Sequence, residues 1–128
     1  TMTTNAHRRP VFLDLTKIRL PVAGLMSIGH RISGVVMVLG IPALVYLLDK
    51  SVSSPEGFAA VQETVAGLPF KVLLFLALWA LMHHFLAGIR YLLLDVDVGV
   101  DKPVYQQTAI AVLVAAPLLA LPLTAVLS

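Results

Sequence analysis

The chain has 128 residues, of which 59% are hydrophobic and 12% charged, with mean hydropathy +0.92 and net charge +2. A soluble domain carries roughly 25% charged residues, so water is not the main solvent here, and the length suits one domain. With no cysteine, disulfides, thiolate zinc and cysteine-held iron–sulfur clusters are excluded. The basic residues form no patch interleaved with aromatics, which argues against a nucleic-acid partner.

Residues 1–20 carry Arg8, Arg9, Lys17 and Arg19 and show no clean period of 2 or 3.6. They read as an ordered or interfacial arm, with a flexible terminus as the rival reading. No signal-peptide core precedes the first apolar run, and no long Arg/Ser-rich transit sequence stands there; a bacterial source is the expectation. The first membrane span is placed at 21–49. Pro21 suits a first helical turn, and Ile32–Leu48 is an unbroken apolar run of about 25 Å at 1.5 Å per residue, close to the hydrocarbon thickness. Pro42 is expected to kink it. Asp49 to Gly57 brings charge and turn formers that close this span, and 58–66 suits a short interfacial helix with Pro55-Glu56 in its first turn. The second span is placed at 64–95 and the third at 103–127, where Pro117 and Pro122 are tolerable if neighbouring helices satisfy the freed carbonyls. The fold class is therefore an all-α integral membrane protein with three transmembrane helices.

Alternation of the spans puts the arm, the start of span one and the 90–103 region on one side. That side holds Arg8, Arg9, Lys17, Arg19, Arg31, Arg90 and Lys102, leaving only Lys50 and Lys71 of the nine basic residues opposite. The positive-inside rule then predicts a cytoplasmic N-terminus and a periplasmic C-terminus.

Two histidines, His83 and His84, interrupt the second span, where ionisable groups are costly and usually functional. At 100° per residue His84, Gly88 and Tyr91 share a face, with Ala77 and Ala80 behind them. Small residues around that imidazole leave room for a flat ligand, whereas His83 points toward Trp79 and Leu76. A porphyrin iron held at His84 would find His30, Arg31 and Tyr91 near its propionates. Ser27, Arg31 and Gly34 share a face of span one, and a hydroxyl beside a guanidinium suits a quinone carbonyl. Each feature has a plainer rival. The histidine can hydrogen-bond a neighbouring helix, Arg31 can snorkel, the glycines can allow close packing, and Asp95 can be a solvated helix end. Two-imidazole ligation would also need a histidine from another subunit, because His83 is adjacent on the same helix, His30 is read as too near the surface and His7 lies outside.

Arg9-Pro10, the run Ser27-Ile-Gly-His30-Arg31-Ile-Ser33-Gly34, and His84-Phe-Leu-Ala-Gly88-Ile-Arg90-Tyr91 with Asp95 resemble the signatures of the cytochrome b556 subunit family of succinate dehydrogenase. This is the larger of the two membrane anchors of respiratory complex II. The resemblance covers about residues 9–95. It implies that His84 is the axial ligand of one haem b, and so the residue bound to its iron, in a bundle shared with a smaller anchor that supplies the second ligand. His30, Arg31, Gly88 and Tyr91 would line the haem pocket and its propionates. Ser27 and Arg31 would help form the ubiquinone site, completed by the iron–sulfur subunit and the smaller anchor, with a flavoprotein subunit docked beyond. The chain would then carry electrons from succinate to quinone in a bacterial inner membrane without being catalytic alone. Tyr91 stands where the family usually has His or Phe, and Leu94 where it has an aromatic residue or Met. Two other readings are an anchor of a quinol:fumarate reductase and a small proton-relay or transport protein.

Overall fold

The computed structural model describes residues 20–128, so the arm read over residues 1–20, apart from Leu20, lies outside the described residues. Four helices follow in order: α1 (Val22–Ser53), α2 (Pro55–Ala66), α3 (Leu68–Asp95) and α4 (Val104–Leu127). Among the described residues there is no strand. α1, α3 and α4 are each long and apolar enough to cross a membrane, and the chain is a multi-pass membrane protein.

Two boundaries differ from the sequence reading, and proline explains much of both. α1 runs past Asp49 to Ser53, where the hydroxyls of Ser51 and Ser53 bond back to the carbonyls of Leu48 and Asp49 and keep these turn formers inside the helix. The break falls at Ser54, whose extended backbone (φ −163°, ψ 159°) is what a residue preceding proline prefers. Ser54 also caps α2, its Oγ accepting the Gly57 N–H at 2.9 Å. Residues 64–66 belong to α2 rather than to the second long helix, because Gly67 is extended (φ −73°, ψ 150°) and Pro69 suits the start of a new helix. Helix α1 is continuous through Pro42.

The core is thin. Met26 of α1, Ala87 of α3, and Ala109 and Val112 of α4 form its centre. Ala109, Ala116 and Ala120 are fully buried, so α4 meets its neighbours through small side chains that allow close approach. Large apolar residues such as Val38, Leu39, Leu44, Leu73, Leu92 and Leu118 point outward, as expected where lipid or another protein replaces water. Contacts of Met26 with Arg90 and of Arg90 with Tyr105 and Thr108 bring the start of α1, the end of α3 and the start of α4 to one end of the bundle.

A histidine site between the first and third helices

Successive residues of α3 turn by about 100°, so His83 and His84 serve different surroundings. His83 is buried at 6% exposure with Ala87 and Arg90 on the same stripe. Its Nε2–H donates to the Met26 carbonyl at 3.1 Å. The approach is close because residue 29 is glycine: a Cβ there would lie 2.6 Å from that nitrogen. The crowding around His83 thus comes from α1, while Trp79 and Leu76, expected to supply it, are exposed.

His84 is half-buried. Its Nδ1 lies 3.1 Å from the His30 carbonyl oxygen and 3.2 Å from Ser33 Oγ. The Ser33 hydroxyl donates its own proton to the His30 carbonyl at 2.8 Å. A carbonyl only accepts, so Nδ1 carries the proton of the neutral ring and shares it between two oxygens. The lone pair is left on Nε2, for which no described residue provides a hydrogen bond. Gly34 lies against the same edge of the ring, where a Cβ would come 3.2 Å from His84 Cε1 and 3.6 Å from Nδ1. Gly34 is therefore also a packing position for His84.

The His30 ring stacks on His84, with centroids 4.0 Å apart and planes 12° from parallel, and Tyr91 meets His30 edge-on at 5.3 Å. His30 is consequently level with His84. It still cannot oppose His84 across an iron, because stacked rings present faces, not lone pairs, to each other. Gly88 and Tyr91 lie half-buried on the His84 side of α3, and no atom comes within 4 Å of a Cβ built at Gly88. Arg31 is exposed and Ser27 half-buried, and neither side chain has a hydrogen-bond partner among the described residues.

Two polar groups escaped the sequence reading. Ser33 is 4% exposed; its signal was a hydroxyl one turn after His30, within reach of that carbonyl. Arg90, counted with the flanking charges, is also 4% exposed. Its Nε donates to Thr108 Oγ1 at 3.0 Å and its Nη2 to the Tyr105 carbonyl at 2.9 Å, with its Cζ 4.5 Å from the Tyr105 ring centroid. The signal was position: Arg90 is seven residues after His83, hence on the same inward stripe. Among the described residues no buried side-chain nitrogen or oxygen lacks a partner, and no three His, Asp or Glu residues are grouped to hold a free metal ion.

The protein family described as succinate dehydrogenase/fumarate reductase transmembrane subunit matches residues 5–123. A succinate dehydrogenase cytochrome b556 subunit of Coxiella burnetii is 38% identical over 97 residues, covering 75% of this chain and 78% of that one. The cytochrome b556 subunit of Paracoccus denitrificans is 36% identical, covering 76% and 75%. A succinate dehydrogenase hydrophobic membrane anchor subunit of Archaeoglobus fulgidus is 35% identical over 82 residues, covering 64% and 68%.

Proposed function

The chain belongs to the succinate dehydrogenase/fumarate reductase transmembrane subunit family, and from that premise we propose that it is the haem b-bearing membrane anchor of a succinate:quinone oxidoreductase. The observation that carries this reading is the state of His84. Its Nδ1–H is tied to the His30 carbonyl and Ser33 Oγ, so Nε2 keeps a lone pair with no hydrogen-bond partner among the described residues, on a half-buried side chain. Metal-ligating histidines almost always spend their second ring nitrogen on such a bond. The donor set fits a haem: one neutral imidazole, an open small-residue surface, and cationic or hydrogen-bonding groups nearby.

In this reading His84 Nε2 would hold the iron, and the open space at Gly88 would leave room for the group. His30, Arg31 and Tyr91 hold the propionates. When bound, the haem supplies a one-electron reservoir beside the quinone site. A smaller anchor subunit that shares the bundle would supply the other histidine. Arg31 and Ser27 donate hydrogen bonds to a ubiquinone carbonyl, and Arg31 stabilises negative charge as it builds on that oxygen. The exposed position of Arg31 supports such a role, since an exposed guanidinium can serve a ligand or a neighbouring subunit. The soluble flavoprotein and iron–sulfur subunits dock on the end of the bundle where α1 starts; the distribution of basic residues supports a bacterial cytoplasmic side there and a periplasmic C-terminus.

The physical need for the anchor is the phase boundary between them. Succinate is water-soluble and quinone is lipid-soluble, so electrons must pass from one phase to the other. A proton relay is the weaker reading. His83 and His84 each commit a ring N–H to a carbonyl of α1, which fixes both rings instead of leaving them free to rotate and pass protons.

The test is the complex purified in mild detergent. A b-type reduced-minus-oxidised spectrum is expected from it, and His84→Ala should remove that spectrum while the chain still inserts in the membrane. Arg31→Ala should depress quinone reduction far more than dye reduction at the soluble subunits. A complex with no haem bands, or an unchanged spectrum in His84→Ala, overturns the haem assignment. Equal loss of both activities in Arg31→Ala overturns the quinone assignment.

A further inference from the structure

We propose that Ser33 is a positioning residue for His84, setting the ring's orientation and the electron density at Nε2. The proposal rests on the reading of His84 as the haem ligand. A serine inside a helix commonly bonds back to its own i−3 carbonyl and does nothing else. Ser33 makes that bond, to His30 at 2.8 Å, and the same oxygen also meets Nδ1 of a histidine on another helix at 3.2 Å. With its proton committed to the carbonyl, Oγ turns a lone pair to the imidazole. Nδ1–H thus faces two acceptors, both supplied by the single turn from His30 to Ser33.

Two consequences follow. Turning the ring by 180° would replace Nδ1–H with a carbon and lose both bonds, while Gly34 on one side and the His30 ring on a face leave little room for intermediate angles. The ring is therefore locked in the orientation and tautomer that put the lone pair on Nε2. In addition, acceptors on Nδ1–H pull the proton outward and make Nε2 a stronger donor, which favours the more positively charged, oxidised iron. The burial of Ser33 at 4% exposure makes the bond count, because no water is at hand to replace it.

The experiment uses the purified complex carrying Ser33→Ala, Ser33→Cys or Ser33→Thr, with wild type and His84→Ala alongside. Haem content, midpoint potential by optical redox titration, and haem transfer to an apo-globin acceptor are measured. Ser33→Ala should keep its haem but transfer it about tenfold faster, the lower end of the effect of losing such a supporting bond, and its potential should rise. Ser33→Cys keeps nearly the same volume with a poor acceptor, so it should follow Ala, whereas Ser33→Thr restores the hydroxyl and should return toward wild type. A purely space-filling serine predicts the opposite order, with Cys like wild type; that order, or no change in potential and transfer in Ala, overturns the proposal. Haem retained unchanged in His84→Ala overturns the ligand assignment itself, and the proposal with it, whatever the Ser33 variants show.

Discussion

Gly29→Ala tests whether the α1–α3 interface is set by contact between one imidazole and one bare backbone position. The new Cβ would lie 2.6 Å from His83 Nε2 and 3.0 Å from Cε1, where ordinary contact begins near 3.4 Å. The helices must separate by the difference, 3.4 − 2.6 = 0.8 Å, or His83 must swing aside. Separation disturbs a packed interface at about 1–3 kcal/mol. Swinging aside gives up the bond to Met26 and strands a buried N–H, also about 1–3 kcal/mol. The lesser of two similar costs is about 2 kcal/mol, roughly 30-fold in equilibrium. Gly40→Ala is the control, because nothing lies within 4 Å of its Cβ; it should be neutral or stabilise the helix by up to about 1 kcal/mol. The assay is the thermal midpoint of the purified complex for both variants, for His83→Ala, and for Gly29→Ala with His83→Ala. If the contact is the cause, Gly29→Ala costs nothing further once His83 is truncated, a coupling of about 2 kcal/mol. Equal losses in both backgrounds, or a Gly29→Ala midpoint no lower than that of Gly40→Ala, would refute the reasoning.

Gly88→Leu points into open space within this chain, so the fold should be unaffected or stabilised by up to about 1 kcal/mol while haem per complex falls sharply; unchanged haem content would remove Gly88 from the pocket. Arg90→Ala should cost about 3–5 kcal/mol, from two hydrogen bonds to a cation and the Tyr105 contact. Arg90→Met refills the volume and no longer buries a charge, so it should cost less. Thermal midpoints in the order wild type, Met, Ala check this, and Ala at or above Met contradicts it.

The sequence reading goes furthest where a residue's role depends on its own helix. Three apolar runs of spanning length give three long helices, and a 100° turn per residue separates His83 from His84 without any knowledge of neighbours. It fails at Arg90, since only the packing of α4 against α3 decides whether a guanidinium seven residues from His83 reaches water or the Tyr105 carbonyl. It fails also at Ser51 and Ser53, where polar residues that resemble a helix stop find carbonyl partners one turn back.

What the sequence determined by itself was the solvent and the local geometry: hydropathy selects lipid over water, helical periodicity fixes which side chains share a face, and proline decides where Ser54 breaks the chain. What only the tertiary structure decided was which groups meet across helices. The His30 carbonyl and Ser33 hydroxyl belong to one helix and His84 to another, 51 to 54 residues later. No local pattern encodes that meeting. It depends on the register of two antiparallel helices, which close contacts at Gly29 and Gly34 hold to within a fraction of an ångström.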